Sequence, residues 1–149
     1  MAQVCFKIIE PQSLHYPAVV ALRQLILRKS LGLRFSEEEL EKDKAHIHVV
    51  GFMEDEVIAT ALLIPEGKSL RMKRVAVKED LQNQGIATAM MAFCEDYASE
   101  NGFQDLYCHA RQTAVNFYLK NKYIPEGEFF DETGIPHLRM RKTLENESQ

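Results

Sequence analysis

The segment Val75-Ala-Val-Lys-Glu-Asp-Leu-Gln-Asn-Gln-Gly-Ile-Ala-Thr88 constrains this chain more than any other. It runs from a β-branched stretch, through a polar loop, to a single glycine and then into an apolar-periodic run. Ile86, Met90, Phe93, Cys94 and Tyr97 recur at helical spacing. A strand that enters a helix through such a loop is the unit from which mixed α/β sheets are built. The first N–H groups of a helix have no intrahelical partner and, with the helix dipole, they attract anions. Gly85 lets a main chain approach a phosphate without a Cβ in the way. Ala87 keeps the next turn small, and Thr88 adds a hydroxyl. A P-loop would end Gly-Lys-Ser or Gly-Lys-Thr, and a dinucleotide fingerprint would need three spaced glycines; neither is present. The segment therefore suits a diphosphate held by backbone donors. A helix that merely starts after glycine explains the local pattern about equally well.

The rest of the chain supplies the sheet. Val4 to Ile9 reads as a first strand ended by Pro11. Pro17 opens a helical run through Ser30, with Val19, Leu22, Leu25 and Ile26 on one stripe. Gly32 interrupts it, and Ser36-Glu-Glu-Glu39 is a capping box for a short acidic helix ending near Lys44. His46 to Met53 and Glu56 to Ile64 form a hairpin about Glu54-Asp55, and Glu66-Gly67-Lys68 turns into a strand from Leu70 to Val77. After the central helix, Asn101-Gly102 is a stop and Asp105 to Ala110 a short strand. Thr113 caps a helix that ends near Asn121. Tyr123 to Phe130 and His137 to Leu144 are the last strands, separated by Asp131-Glu-Thr-Gly134. The order predicts an α/β fold, a mixed sheet with helices packed against it.

Composition narrows the function classes. The chain has 149 residues, one domain's worth, and the tail Glu145-Asn-Glu-Ser-Gln149 reads as frayed. The formal net charge of −4 offers no basic excess for a phosphate backbone, so nucleic acid is not expected. The longest apolar stretch, Val57 to Pro65, is far short of the roughly 20 residues that span a bilayer. The amino terminus has no secretory pattern. Cys5, Cys94 and Cys108 fit neither a zinc site nor a redox pair, so no metal is expected and a cytoplasmic setting with reduced thiols is.

Gln82-x-x-Gly85-x-Ala87, directly after Val75-Ala76-Val77, resembles the acyl-CoA signature of the GNAT superfamily of N-acyltransferases, with Ala87 where Gly often stands. Ala114-Val-Asn-Phe-Tyr-Leu-Lys-Asn-Lys-Tyr123 resembles that family's helix with an Asn, a Phe-Tyr pair and an aromatic at the next strand, with Lys122-Tyr123 in place of the usual Gly-Phe. Gly127-Glu-Phe-Phe-Asp-Glu-Thr-Gly-Ile-Pro-His-Leu-Arg-Met140 resembles the carboxy end of the ElaA-like branch. The resemblance implies one GNAT-like N-acetyltransferase domain over residues 1–149, α/β (α+β) in class. It would have a mixed, mostly antiparallel sheet of about seven strands flanked by about four helices. It implies acetyl-CoA as acyl donor and the primary amine of a small molecule or peptide as acceptor, joined by direct attack in a ternary complex.

It also implies parts for individual residues. Backbone groups of Val75, Ala76 and Val77 would lie along the pantetheine arm, one N–H facing the thioester oxygen. Gln82, Asn83, Gln84, Gly85, Ile86, Ala87 and Thr88 would surround the diphosphate, and Asn116 would bond the pantetheine. Tyr118 would give its phenol proton to the leaving sulfur, although a packed aromatic with a satisfied hydroxyl is the ordinary alternative. An alkylammonium must lose a proton before it attacks, and the base is not assigned. His109 and His137 are candidates, and the acidic run Glu126, Glu128, Asp131, Glu132 would draw a cationic amine or simply form a solvated turn. Cys108 as covalent nucleophile would need a lowered pKa. Arg71, Lys73, Arg74 and Lys78 form a basic patch that either assists phosphates or only alternates along a strand. Open sheet edges admit pairing with a second copy. The rival from another class is a non-catalytic acyl-CoA-binding or regulatory module.

Overall fold

The structure, a computed structural model, describes residues 3–144, so the tail from Glu145 lies outside the described residues. Among the described residues, seven strands and four α-helices follow one another in the order expected. They are β1 (Val4–Ile9), α1 (Tyr16–Arg23), α2 (Glu37–Lys44), β2 (Ile47–Met53), β3 (Glu56–Glu66), β4 (Ser69–Val77), α3 (Ile86–Glu100), β5 (Asp105–Arg111), α4 (Val115–Lys120), β6 (Ile124–Glu132) and β7 (Ile135–Thr143). The sheet order is β1-β2-β3-β4-β5-β7-β6. β5 is parallel to β4 over Ser69↔Asp105 to Met72↔Cys108, and its pairing with β7 is antiparallel. Among the described residues no helix is long and apolar enough to cross a membrane.

The chain divides into two compact units, Met1–Ile64 with Arg74–Cys94, and Pro65–Lys73 with Glu95–Gln149. The first unit is built on the antiparallel ladders β1–β2 and β2–β3. α1 lays Tyr16, Val19 and Leu22 against Val50, Phe52 and Val57, with Ile9, Val20 and Ile26 around them. Burying such side chains contributes about 1.5–3 kcal/mol each. α2 starts as its sequence demands. The Ser36 hydroxyl accepts from the Glu39 N–H at 3.1 Å, and the Glu39 carboxylate accepts from the Ser36 N–H at 3.0 Å.

Two expectations about the helices are corrected. The run from Pro17 to Ser30 is not one α-helix. It passes from α1 into a π-helical turn, Gln24–Arg28, and a 3-10 turn, Lys29–Leu31, before Gly32 closes it in the left-handed region. Leu25, expected on the apolar stripe, lies at the start of the π-helical turn and is half exposed. Thr113 does not cap α4: residues 112–114 form a 3-10 turn, and Ala114 holds the cap position with no side-chain bond.

The second unit centres on β5, with β7 beside it and β6 at the edge. Leu106, Cys108, Ala110, Leu138 and Met140 are buried. Alternation sends Tyr107 and His109 to the other face of β5. The β6–β7 turn is shorter than expected. Pairing continues to Glu132↔Ile135, and only Thr133-Gly134 is left to reverse the chain.

Candidate acyl-carrier site

In the first unit, β4 carries an unusual residue just before the segment of interest. Arg74 has φ +54°, a left-handed backbone inside a strand. Such a conformation costs of order 1 kcal/mol and persists when its surroundings over-determine it. Here the Arg74 Nε donates to Asp43 at 3.0 Å and its Nη2 at 3.3 Å, Glu39 lies at 3.8 Å, and the Phe35 ring sits 4.6 Å from the guanidinium. Glu39 also takes a two-pronged bond from Arg28, at 2.8 and 3.2 Å, which is the main reason its pKa falls to about 2. Lys78 pairs with Glu56 at 2.7 Å. Two cations of the basic patch are therefore matched by carboxylates, which favours the structural explanation for them.

Beyond Arg74, Ala76 and Val77 are buried. The Lys78 N–H returns to the Ile58 carbonyl at 2.8 Å, and a 3-10 turn, Glu79–Leu81, leads to the loop. Gln82 folds back, its Nε2 donating to the Val77 carbonyl at 2.9 Å; the Gln84 amide does the same to Asp80 at 3.3 Å. Both side chains thus brace the loop from within. Asn83 and Gly85 sit in the left-handed region, at φ +64° and +84°. The Ala89 N–H closes the first turn of α3 on the Gly85 carbonyl at 3.0 Å. The N–H groups of Gly85, Ile86 and Ala87 precede that bond and donate to no carbonyl among the described residues. A Cβ built on Gly85 would meet nothing within 4 Å. The loop from Gln82 to Gly85 is exposed, Ile86 is buried as the first core residue of α3, and Thr88 is exposed. What results is an open row of main-chain donors at a helix start, chemically suited to a diphosphate.

In the second unit, Asn116 is exposed on α4 and Tyr118 is buried. The Tyr118 ring meets Phe117 and Tyr123 edge-on at 5.0 and 5.4 Å, and its hydroxyl hydrogen-bonds the Cys108 thiol. Burial pushes that thiol up to about 12. Cys108 is therefore a neutral thiol at pH 7, not an activated nucleophile. Tyr123 donates to Glu95 at 3.1 Å, and Lys142 holds the other oxygen of that carboxylate at 2.9 Å.

The opposite face of β5 is polar. The Tyr107 hydroxyl donates to Glu66, and the guanidinium groups of Arg71, Arg139 and Arg141 lie 5.9, 5.3 and 4.8 Å from its ring. His109 Nδ1 is 2.9 Å from Glu132 Oε1 and 3.1 Å from Arg71 Nη2, with Phe130 edge-on at 5.0 Å. His137 Nδ1 donates to the Ile135 carbonyl at 3.0 Å. The acidic run therefore splits: Asp131 and Glu128 are exposed, Glu126 pairs with Arg141 at 2.9 Å, and Glu132 is half-buried against His109. Sequence spacing could not show the last contact, which depends on how β6 returns beside β7.

Residues 27–144 match the acetyltransferase (GNAT) domain family. Among curated proteins, the N-acetyltransferase YitI of Bacillus subtilis, itself uncharacterized, is 26% identical over 131 residues, covering 83% of this chain and 88% of that protein. Protein ElaA of Escherichia coli is 27% identical over 101 residues, 65% of this chain and 66% of ElaA. The ElaA crystal structure superposes with a TM-score of 0.81 over 94% of this chain and 99% of that one, at 20% identity. The N-acetylglutamate synthase of Neisseria gonorrhoeae, solved with coenzyme A and N-acetyl-glutamate, superposes with a TM-score of 0.75 at 18% identity, over 95% of this chain and 35% of that one. Loop, sheet and family match agree, and the chain belongs to the GNAT acetyltransferase domain family.

Proposed function

We propose that this protein is an N-acetyltransferase, one domain over residues 1–149, that moves an acetyl group from acetyl-CoA to a primary amine of a small molecule or peptide by direct attack in a ternary complex. The observation that carries the reading is the free N–H row of Gly85, Ile86 and Ala87 beside an unobstructed glycine. When bound, acetyl-CoA supplies an acetyl group activated as a thioester. The synthase noted above was solved with coenzyme A, which supports the same donor here.

In this reading Gln82, Asn83, Gln84, Gly85, Ile86, Ala87 and Thr88 hold the diphosphate. The backbones of Val75, Ala76 and Val77 bind the pantetheine arm, and Asn116 adds a side-chain bond to it. Tyr118 donates the proton that neutralises the leaving thiolate. The high Cys108 pKa favours direct transfer over an acyl-cysteine route.

Calorimetric titration with acetyl-CoA should show micromolar or tighter binding; absence of binding would discard the reading. Mass spectrometry of a primary-amine panel incubated with acetyl-CoA should return at least one acetylated product. Binding with no product would instead favour the non-catalytic module. Tyr118→Phe should lower turnover by a factor on the order of a hundred or more while acetyl-CoA affinity stays within about twofold, since a proton donor acts in the transition state. Unchanged turnover would remove Tyr118 from that role.

A further inference from the structure

We propose that Arg74 is a positioning residue for the acyl carrier: its bonds to Asp43 and its contact with Phe35 hold β4 in the left-handed turn that sets the main chain of Val75–Val77 to take the pantetheine arm. The inference rests on the transferase reading above, which assigns that arm to Val75, Ala76 and Val77, and it names the side chain that shapes them. Arg74, Asp43, Phe35 and Val75–Val77 all belong to the first unit.

Two features of β4 mark the position. Leu70 and Met72 are buried while Ser69, Arg71 and Lys73 are half-buried, as strand alternation requires. The rhythm breaks at Arg74, φ +54°: Val75 is half-buried, and Ala76 and Val77 are buried in succession. The parallel ladder with β5 also stops short, covering Ser69 to Met72 among the described residues. A strand segment that runs beyond its ladder presents main-chain donors and acceptors to whatever lies alongside. An extended arm with amide groups, such as pantetheine, can pair with that edge as an added strand would.

A β-carbon disfavours the left-handed region, where glycine or asparagine is the usual occupant. Arginine stands there because its surroundings hold it. Its Nε and Nη2 reach both oxygens of Asp43, at 3.0 and 3.3 Å, and Asp43 is only 5% exposed. A carboxylate that deep needs its partner, so the guanidinium cannot let go without stranding a charge. The Phe35 ring lies 4.6 Å from the Arg74 guanidinium and 4.1 Å from that of Arg28. Phe35 is itself fixed. The Gln24 side chain accepts from its N–H at 2.9 Å and donates to the Leu33 carbonyl at 2.8 Å. Gln24 and Arg28 are the two ends of the π-helical turn, a widening that recurs at functional sites. Two departures from regular backbone, one in the first helical run and one in β4, thus meet on a single ring.

Holding the turn in advance bears on affinity. If residue 74 relaxed to extended backbone in the free protein, binding would first have to restore the turn. The apparent affinity would then fall by the fraction of molecules that already hold it. The latch of Asp43 and Phe35 keeps that fraction near one.

The test separates the turn from the side chain. Arg74→Ala and Arg74→Gly are each combined with Asp43→Asn, so that no carboxylate is left buried without its cation. Glycine adopts the left-handed turn unaided, and alanine does not. Calorimetric titration should find acetyl-CoA binding about tenfold weaker than wild type in the alanine protein, and within about threefold of wild type in the glycine protein. 3′-Phospho-ADP, which keeps the diphosphate and lacks the pantetheine arm, should bind all three proteins within about twofold. Backbone NMR couplings of residue 74 should report a left-handed φ in the wild type and an extended one in the free alanine protein. Equal acetyl-CoA affinity in the alanine and glycine proteins would overturn the role, because the turn would not matter. An equal loss of 3′-phospho-ADP would overturn it too, because a general loosening of the unit weakens every contact. Should the paired variants not fold, Asp43→Asn alone loosens the fork and should weaken acetyl-CoA about threefold, with 3′-phospho-ADP unchanged; no weakening there overturns the role. A wild type that binds acetyl-CoA while the variants behave alike defeats the positioning role alone. A wild type that binds neither ligand defeats the transferase reading and the positioning role with it.

Discussion

Arg23 is almost wholly buried, yet its donors go to neutral acceptors. Its Nε and Nη2 reach the Thr60 hydroxyl at 3.2 and 2.9 Å, and Nη2 also reaches the Ala61 carbonyl at 3.3 Å and His48 Nδ1 at 3.2 Å. Burial lowers its pKa to about 10, so the guanidinium stays charged at pH 7. His48 bears the consequence. Burial first, then repulsion from Arg23, lowers its pKa to about 4. It is held neutral, with Nδ1 as the acceptor Arg23 needs. The unfolded chain takes up this proton near pH 6.5 and the folded one only near 4, so stability is full above 6.5 and drains as pH falls through that window. A gap of this size corresponds to about 3 kcal/mol. Urea midpoints measured from pH 7.5 to 4 should drop more steeply for the wild type than for His48→Gln, whose amide oxygen can still accept from Arg23. Parallel curves would show that His48 does not control the slope. Glu39 titrates between about 4.5 and 2, so it touches only the acid end of the scan, and there it acts alike on wild type and His48→Gln and leaves their difference to His48.

At the scale of elements, the loop into α3 is the sharpest case. Gly85 holds φ +84° with open space where a Cβ would stand. Gly85→Ala therefore brings backbone strain without a clash. It should cost about 1–2 kcal/mol, read as a lower denaturation midpoint. It should also weaken acetyl-CoA binding, because relief of the strain rotates the donor row; affinity equal to wild type would separate the row from the ligand. This loop was legible because its chemistry is local: a strand, one glycine and a helix start follow one another in sequence. The α2 cap was legible for the same reason, with Ser36 and Glu39 three residues apart. The α1 run was not, because a period of 3.6 assumes an unbroken α-helix, and the chain instead passes into a π-helical turn at Gln24–Arg28. Thr113 misled because a capping residue type does not decide whether the next turn is α or 3-10. The contact between His109 and Glu132 joins residues 23 apart through the β5–β7–β6 ladders. No local spacing encodes it; strand register does.

For the molecule as a whole, connectivity bears on how it unfolds. Two compact units can be drawn, but neither is a continuous stretch of chain. β4 gives Ser69–Lys73 to one and Arg74–Val77 to the other, and α3 divides likewise at Cys94 and Glu95. A strand or helix cut in mid-run loses its ladder or its helical bonds on both sides, so melting one unit frays an element of the other. Calorimetry should therefore show one transition whose calorimetric and van't Hoff enthalpies agree, near 100 kcal/mol at roughly 0.7 kcal/mol per residue. Saturating acetyl-CoA should raise that single midpoint, since a ligand that binds only the folded chain stabilises it by mass action. Two resolved transitions, with only one shifted by the ligand, would show that the units fold independently and that the carrier is held by one of them alone.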